Sequence, residues 1–180
     1  MLNTILGTLS SGVAASTTSY ESIASSSPTS GTSVTFSSIP ATYKHLQIRG
    51  IMLGTSPLNL SVQLNADTAA NYSIHRLSGD GATAVAAGQA NTDGLYGSPN
   101  GTAGTTTNPT AFIIDIHDYA STTKNKTSRQ FMGLDKNGSG EIALWSGNWR
   151  STSAVTSATV YLLSGSYGAG TSIALYGIKG

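Results

Sequence analysis

Acidic and imidazole side chains cluster in one short stretch of the sequence. Asp115, His117 and Asp118 lie close together, and the first two fall on one face if the stretch is a β-strand. With His45 or His75 they have the residue types of a metal site or a general-base pair. Histidine and aspartate on the solvent face of a strand need no such role, and no serine elbow or HExxH motif accompanies them. We therefore expect no catalytic residue and no metal here.

The run from Asp135 to Gly140 resembles the start of a calcium loop, because oxygen-bearing side chains alternate along it and a glycine stands sixth. The twelfth position is Ser146, which lacks the bidentate carboxylate that such a loop needs. Asn137-Gly138 is equally the signature of a tight β-hairpin turn. We favour the hairpin, and the sequence predicts no cofactor.

A third group of candidate residues is aromatic. Trp145, Trp149 and Arg150 stand close together in a chain with two tryptophans and three phenylalanines. Three tyrosines complete the set: Tyr96, Tyr161 and Tyr167. Aromatic rings offer stacking faces for a sugar, but Trp, Tyr and Arg are also the residues that concentrate binding energy at subunit interfaces. We favour Trp145, Trp149 and Arg150 as interface anchors over a glycan site.

Alternating apolar and polar residues predict the β-strands that must position these groups. The period of two is clear in Phe112, Ile114 and Ile116, which fall on one face of a strand. We expect about nine or ten strands from this pattern. The longest candidates are Tyr43–Ile51, Tyr72–Leu77, Ala111–Tyr119, Ser128–Leu134, Glu141–Trp149, Ala154–Leu163 and Ser172–Ile178.

Turn-forming residues separate the strands at Gly79-Asp80-Gly81, Asn100-Gly101, Asn137-Gly138 and Ser164–Gly170. No window of about eleven residues carries a clear apolar stripe at helical spacing, which argues against crossover helices and a parallel sheet. The stretch 82–109 has no periodicity, and we predict a long exposed loop there. The fold class that fits is an all-β antiparallel β-sandwich, with a jelly roll as the favoured topology.

The composition limits the partners that the chain can have. Nine Lys and Arg balance eight Asp and Glu in 180 residues, so neither a nucleic acid nor an anionic membrane is an expected partner. The chain has no cysteine, which excludes disulfides and thiolate ligands. No apolar run approaches the ~20 residues of a membrane-spanning helix.

Residues 1–17 form a segment of different character from the rest. They carry no charge, and they lack both the basic start and the long apolar core of a secretory signal. We predict an extended attachment arm that docks on a neighbouring molecule, followed by a single β-sandwich domain over residues 18–180. The apolar side chains that would attach the arm are Leu2, Ile5, Leu6 and Leu9.

Several segments of the sequence have the appearance of a known family. They are Ser19–Ala24, Val34–Gly50, Asn71–Ser73, Gly147–Ser153 and Ala174–Gly180. These segments resemble small virion structural proteins of tailed bacteriophages, particularly phages of aquatic bacteria, and the resemblance extends over residues 18–180. It implies a non-enzymatic component of the virion and supplies no catalytic residues.

The resemblance and the composition together favour a capsid decoration or cement protein. A neutral sandwich leaves strand edges and flat faces that a closed oligomer covers. We expect a homo-oligomer, by preference a trimer, bound to other virion proteins such as the major capsid protein. An enzyme is disfavoured, because only eight acids are available to form a carboxylate pair in a cleft. The alternative is a tail-fibre or adhesin domain that binds a host surface glycan.

Deleting residues 1–17 tests the division into arm and domain. The shortened chain should keep a β-type circular dichroism spectrum and its thermal midpoint, because the arm is predicted to contribute little to the domain core. Its binding to virus particles, measured by co-sedimentation, should fall. A shortened chain that unfolds, or that still occupies particles as fully as the whole chain, contradicts the prediction.

Overall fold

The computed structural model describes residues 19–54, 59–97 and 107–180. Within these ranges the chain forms twelve β-strands and no helix. The strands are β1 (Tyr20–Ser26), β2 (Ser33–Phe36), β3 (His45–Met52), β4 (Leu60–Leu64), β5 (Tyr72–Gly79), β6 (Ala84–Thr92), β7 (Leu95–Gly97), β8 (Thr110–His117), β9 (Lys126–Asp135), β10 (Gly140–Trp149), β11 (Ala158–Leu162) and β12 (Ser172–Ile178). In the same ranges we find no helix with the length and apolarity to cross a membrane.

The strands form two antiparallel sheets that pack against each other. The larger sheet has eight strands in the order β1-β12-β3-β8-β9-β10-β5-β6, and the smaller has four in the order β2-β11-β4-β7. The chain passes repeatedly from one sheet to the other, as at β1 to β2, β2 to β3 and β3 to β4. A hydrophobic core cluster takes its buried side chains from both sheets. The predicted all-β antiparallel sandwich is thus confirmed.

The core is built from the inward positions of alternating strands. Leu46 and Ile48 on β3 and Ile114 on β8 have no exposed surface, and Val62 on β4 meets them from the smaller sheet. Successive side chains of a strand point to opposite faces. The period of two in the sequence therefore becomes one buried face and one outer face for each sheet.

The stretch 82–109, which the sequence predicts as a loop, is partly strand. β6 pairs with β5 along nearly all of its length, and β7 pairs with β4. The loop prediction is wrong for these residues, and 98–106 lies outside the described residues. β6 forms an edge of the large sheet and exposes nearly all of its small side chains. An edge strand that is open on both faces carries no apolar–polar alternation, so no pattern identified it.

The strand count and the turns allow a similar comparison. Twelve strands occur in the described ranges where about nine or ten were expected; β1, the other edge of the large sheet, was also missed. The turn at Gly81 is present with φ +93°, and Gly170 ends another predicted turn with the same φ. Asn100-Gly101 lies outside the described residues, as does the predicted arm.

Gly50 permits a close approach inside the large sheet. A Cβ at this position on β3 would stand 2.6 Å from Cζ of Phe112 and 2.7 Å from the carbonyl oxygen of Ser172. The second contact is with a backbone atom, which cannot move away by a change of side-chain rotamer. Gly133 on β9 is different, because the nearest atom to a Cβ there is the Glu141 carbonyl oxygen at 3.9 Å.

We expect Gly50→Ala to lower the free energy of unfolding by about 1–3 kcal/mol, the usual cost of overpacking a core. Gly133→Ala is the matched control. It should be neutral or stabilise by up to ~1 kcal/mol, because alanine loses less backbone entropy than glycine in a strand. Chemical denaturation of both variants measures the difference, and equal stabilities would show that the large sheet relaxes freely around β3.

Candidate functional site

Both tryptophans of the predicted interface group lie in the core of the chain itself. Trp149 is 3 % exposed; its Nε1 donates to Oδ2 of Asp67 at 2.7 Å, and its ring stacks on that of Tyr72. Trp145 is also buried, and the Arg76 guanidinium lies 5.4 Å from the centre of its ring. The chain's own side chains therefore cover both indoles. Their role at a subunit interface stays a prediction.

Arg150 is exposed, but its guanidinium is engaged within the chain. Nη2 donates to Oδ1 of Asn91 at 2.9 Å and to the carbonyl oxygen of Ala70, and Nη1 donates to the carbonyl oxygen of Tyr72 at 3.3 Å. The side chain thus ties the end of β10 to the beginning of β5 and the end of β6. Arg150 is thus exposed, whereas both indoles are buried.

The tyrosines of the aromatic set do not form a stacking surface with the tryptophans. Tyr167 is 1 % exposed, and its hydroxyl donates to the carbonyl oxygen of Val160. Tyr96 and Tyr161 are half-buried, and their hydroxyls lie 2.6 and 3.4 Å from Oδ1 of Asp93. The alternative of a glycan site on these rings therefore has no common open face here.

Asp115 and His117 do share one face, the outer face of the large sheet, as predicted. Oδ1 of Asp115 accepts from Nε2 of Gln47 at 2.6 Å, and Nε2 of His117 accepts from Nε of Arg129 at 3.0 Å. The ring of His45 meets His117 edge-on at 5.1 Å. Both candidate residues are thus held by hydrogen bonds to amide and guanidinium donors.

Asp118 adjoins that pair through His45, whose Nδ1 accepts from the Asp118 backbone N–H at 3.1 Å, whereas His75 lies apart. Asp118 follows β8 and forms ion pairs with Lys124 and with Lys44, which together hold the pKa of its carboxyl well below the usual range. His75 lies on β5, two strands beyond β9, beside Gly88 of β6. Among the described residues no group of three His, Cys, Asp or Glu is placed to hold a metal ion.

The run from Asp135 to Gly140 connects β9 to β10, so the predicted hairpin is confirmed. Asn137 and Gly138 adopt the positive φ angles of 58° and 91° that an Asn-Gly turn requires. Oδ1 of Asp135 accepts from the backbone N–H of Gly138 at 3.2 Å. The oxygen-rich residues thus serve the turn itself.

The strands β9 and β10 carry both polar and apolar side chains on each of their two faces. Gln130 on β9 and Glu141 on β10 face inward and are buried. Phe131 and Leu144, from the same two strands, face solvent and are 45 % and 51 % exposed. Exposed apolar area costs about 25 cal/mol per Å². An outer face of this kind is typical of a surface that contacts another molecule.

Strand pairing arranges three exposed apolar side chains and the half-buried Ile113 in a row. Leu144 pairs with Leu77 on β5 and with Phe131 on β9, and Phe131 pairs with Ile113 on β8. We call these four residues the apolar ridge. The ridge crosses four neighbouring strands on the outer face of the large sheet.

A groove lies beside the ridge. In the next row of paired residues, Gly133 and Ala111 stand between Ile142 and Ile51. The two small residues form a floor between two isoleucines that are each about half exposed, at 54 % for Ile142 and 48 % for Ile51. Phe131 of the ridge lines one side of the groove and the β9–β10 hairpin lines the other, and the volume is about 920 Å³.

The sequence of β10 contains a pattern that indicates an apolar outer face in addition to the buried one. In β10, Ile142 and Leu144 occupy one phase of the alternation while Trp145 and Trp149 occupy the other. Large apolar residues in both phases indicate a strand that is covered on both faces. The four-stranded sheet covers only one of them.

The ridge and groove can hold apolar surface, and the residues that line the groove also include Asp80, Asp135 and Glu141. Neither a family model, nor a curated protein, nor a solved structure matches the chain. The fold and the surface thus define an antiparallel β-sandwich with an apolar groove on its larger sheet. Sandwiches serve many functions, so the surface has to carry the functional argument.

His117 supplies a pH prediction. The pKa of His117 lies below the ordinary 6.5, mainly because the ring is partly buried and further because Arg129 and His45 are near. Asp115 and Asp118 act in the opposite direction, but their influence is weaker. Between the lowered pKa and 6.5 the unfolded chain binds more protons than the folded chain, so stability falls as pH falls through this window.

We expect His117→Gln to reduce the loss of thermal midpoint between pH 7 and pH 5, the range in which histidine titrates. Differential scanning calorimetry at the two pH values measures the loss. His75→Gln removes a histidine that lies away from Arg129 and is the matched control. If the two variants lose the same number of degrees of thermal midpoint between pH 7 and pH 5, His117 has no special role.

Proposed function

We propose that the protein is a non-enzymatic structural component of a bacteriophage virion, namely a capsid decoration or cement protein. It attaches to the particle through residues 1–17 and through contacts between subunits, as a homo-oligomer that is by preference a trimer. The observation that supports this proposal best is the exposed apolar ridge and groove on the large sheet. The major capsid protein is the expected partner, and the virion is the expected location.

The size of the apolar surface suits repeated contacts better than one isolated contact. Burying the exposed half of a Leu, Ile or Phe side chain contributes roughly 1 kcal/mol. Five such side chains stand on this face: Ile51, Leu77, Phe131, Ile142 and Leu144. The summed free energy of burying these five side chains is comparable with the free-energy cost of the translational and rotational freedom lost on association. A symmetric oligomer on a particle repeats the contact many times, and this multiplies its effect.

The acids beside the groove support a non-catalytic assignment. The carboxylate of Asp80 accepts from the backbone N–H groups of Ala82 and Thr83, and Asp135 accepts from that of Gly138. Both carboxylates therefore stabilise the turns in which they lie. A hydrolase would need two acids facing one cleft with a proton to exchange.

A tail-fibre or adhesin domain that binds a host glycan is the second candidate. The groove lining includes the exposed Phe131 and also Tyr176, on whose ring Tyr20 stacks at 4.7 Å, and its rim includes Arg49 and Asp80. Aromatic faces bind the apolar side of a sugar ring while charged groups take its hydroxyls. This arrangement differs from the buried tryptophan set of the sequence prediction.

We expect Leu144→Asp to weaken both self-association and particle binding at least about tenfold, because the interface would have to desolvate an unpaired carboxylate. Ser146→Asp is the matched control, two residues further along the outer face of β10, in the row beside the ridge on the side away from the groove. This control should leave self-association and particle binding nearly unchanged. Sedimentation velocity and co-sedimentation with purified particles measure the two effects.

Two outcomes would contradict the structural proposal. The first is absence of the chain from purified particles by quantitative mass spectrometry. The second is saturable binding to a glycan array that Phe131→Ala abolishes, together with particle binding that is the same for both aspartate variants. The second outcome would favour the adhesin.

A further inference from the structure

A second pocket adjoins the groove between the β5–β6 and β9–β10 hairpins, and we call it the hairpin pocket. Its volume is about 290 Å³. The residues that line both the groove and the hairpin pocket are Gly79, Asp80, Ser139, Gly140 and Glu141. Ser78, Thr83 and Val85 line the hairpin pocket alone. A ligand at the ends of β5 and β10 can therefore contact both cavities.

Glu141 is the residue of the hairpin pocket whose chemistry the fold does not use. It lies on the inner face of β10, opposite Leu134 of β9, and is 8 % exposed. Its Oε1 is buried, and no donor in the described part of the chain forms a hydrogen bond to it. A carboxylate oxygen that loses water without gaining a donor costs free energy. Glu141 is therefore an acceptor that a ligand in the pocket can satisfy.

The charges around the hairpin pocket are mostly negative. Asp80 and Asp135 stand on the two hairpins, and within the described ranges no ion pair includes either of them or Glu141. The only base of the two hairpin turns is Lys136, between β9 and β10. The guanidinium of Arg76, farther along β5, lies over an indole ring. Three acids near one lysine favour a cationic ligand.

The other end of the groove, at β12, has the opposite charge and is partly covered by the chain itself. Arg49 lines this end, and its Nη1 donates to the hydroxyl of Tyr20 at 3.3 Å. The ring of Tyr20 stacks on that of Tyr176 with 4.7 Å between the ring centres. The groove is thus basic at β12, apolar along its floor and acidic at the hairpins. A ligand with an apolar body should place its cationic group at the hairpins.

The shape of the two cavities indicates a segment of a partner protein. Among the described residues no three His, Cys, Asp or Glu side chains are placed to hold a metal ion, and 290 Å³ exceeds what one ion fills. A small-molecule site buries most of its ligand, whereas the groove walls Ile51 and Ile142 are themselves about half exposed. Lysine and arginine combine an apolar stem with a cationic head, which forms charge-assisted hydrogen bonds to a carboxylate. A basic side chain between apolar neighbours matches both cavities.

We propose that the hairpin pocket binds the cationic head of a lysine or arginine side chain of a partner protein, with Glu141 as the carboxylate that it contacts. Apolar side chains beside that basic residue lie in the groove between Ile142 and Ile51. The hydroxyl oxygens of Ser78 and Thr83 supply further acceptors for the N–H groups of the head. This inference rests on the proposed function only in so far as the partner is another virion protein.

Small cations test the hairpin pocket separately from the groove. n-Butylammonium and n-propylguanidinium reproduce the lysine and arginine side chains, and n-butanol is the neutral control. In amide correlation NMR spectra of the whole chain, both cations should shift the signals of residues 78–85 and 139–142 in a saturable manner, and butanol should not. Glu141→Gln keeps the size of the side chain but removes its charge, so it should weaken both cations at least about tenfold.

The matched control is Glu21→Gln, because Glu21 is the other glutamate of the chain and lies on β1, at the opposite edge of the large sheet from β6. It should leave the binding of both cations unchanged. Thr83→Lys is a second variant, for use if Glu141→Gln lowers the thermal midpoint. Thr83 is exposed, and its replacement brings an ammonium group to the pocket from within the chain, which should prevent the binding of added butylammonium.

A peptide tests the link between the hairpin pocket and the groove. The probe is the acetylated and amidated peptide Leu-Ala-Lys-Ala-Leu, and its control has norleucine in place of lysine. The lysine peptide should bind at least about tenfold more tightly than butylammonium by isothermal titration calorimetry. Gly133→Val fills the groove floor, where the nearest atom to a Cβ is 3.9 Å away. This variant should weaken the peptide and leave butylammonium unchanged, whereas Ser146→Val, outside the groove, should change neither.

Other results would overturn the inference. Equal binding of butylammonium by the wild type and by Glu141→Gln would exclude the cation site, and so would butanol that binds as tightly as the ammonium. Calcium chloride that displaces butylammonium at a lower concentration would make the pocket a metal site. Equal binding of the lysine and norleucine peptides would separate the groove from the pocket. Absence of the chain from virus particles would refute the proposed function but not this binding site.

Discussion

The alternation of side chains between the two faces of the eight-stranded sheet is the constraint on which the rest of the structure depends. An inward side chain on β9 or β10 leaves its neighbour outside. Because Met132 and Trp145 pack into the core, Phe131 and Leu144 stand on the outer face. A register slip of one residue would bury the second pair and expose the first. The apolar ridge is therefore a consequence of placing the bulky Trp145 in the core.

The inner face shows a second consequence, a polar link between the sheets. The Tyr72 hydroxyl accepts from the backbone N–H of Leu64 at 3.0 Å and donates to the carbonyl oxygen of Asp67 at 3.1 Å. Burial acts to raise the pKa of Asp67, but hydrogen bonds from Trp149, Asn71 and the Ala69 N–H lower it below its ordinary 3.8. The carboxylate therefore stabilises the fold above about pH 4, and this contribution is lost as pH falls through the lowered pKa. Trp149 is consequently a structural residue of the sandwich.

The outer face divides into two halves with different chemistry. One half holds the hydrogen-bonded groups around Asp115, His117 and Arg129, and it needs no partner. The other half holds the ridge and the groove, whose apolar side chains stay in water unless another molecule covers them. A contact of this size is weak by itself, and repetition around an oligomer or over a particle makes it effective. The proposed virion role uses this property.

The sequence by itself determined the all-β class, the positions of most strands and the Asn137-Gly138 hairpin, because period-two alternation and turn residues act locally. The sequence did not indicate β1, β6 or β7: β1 and β6 are edge strands with little burial and therefore little pattern, and β7 has only three residues. Only the tertiary structure decided which set of alternate residues on β9 and β10 faces the core. Both phases contain large apolar residues, so only packing against the smaller sheet could choose Trp145 over Leu144. That choice buried the predicted tryptophan anchors and created the groove, which forms from residues on four strands that meet only after folding.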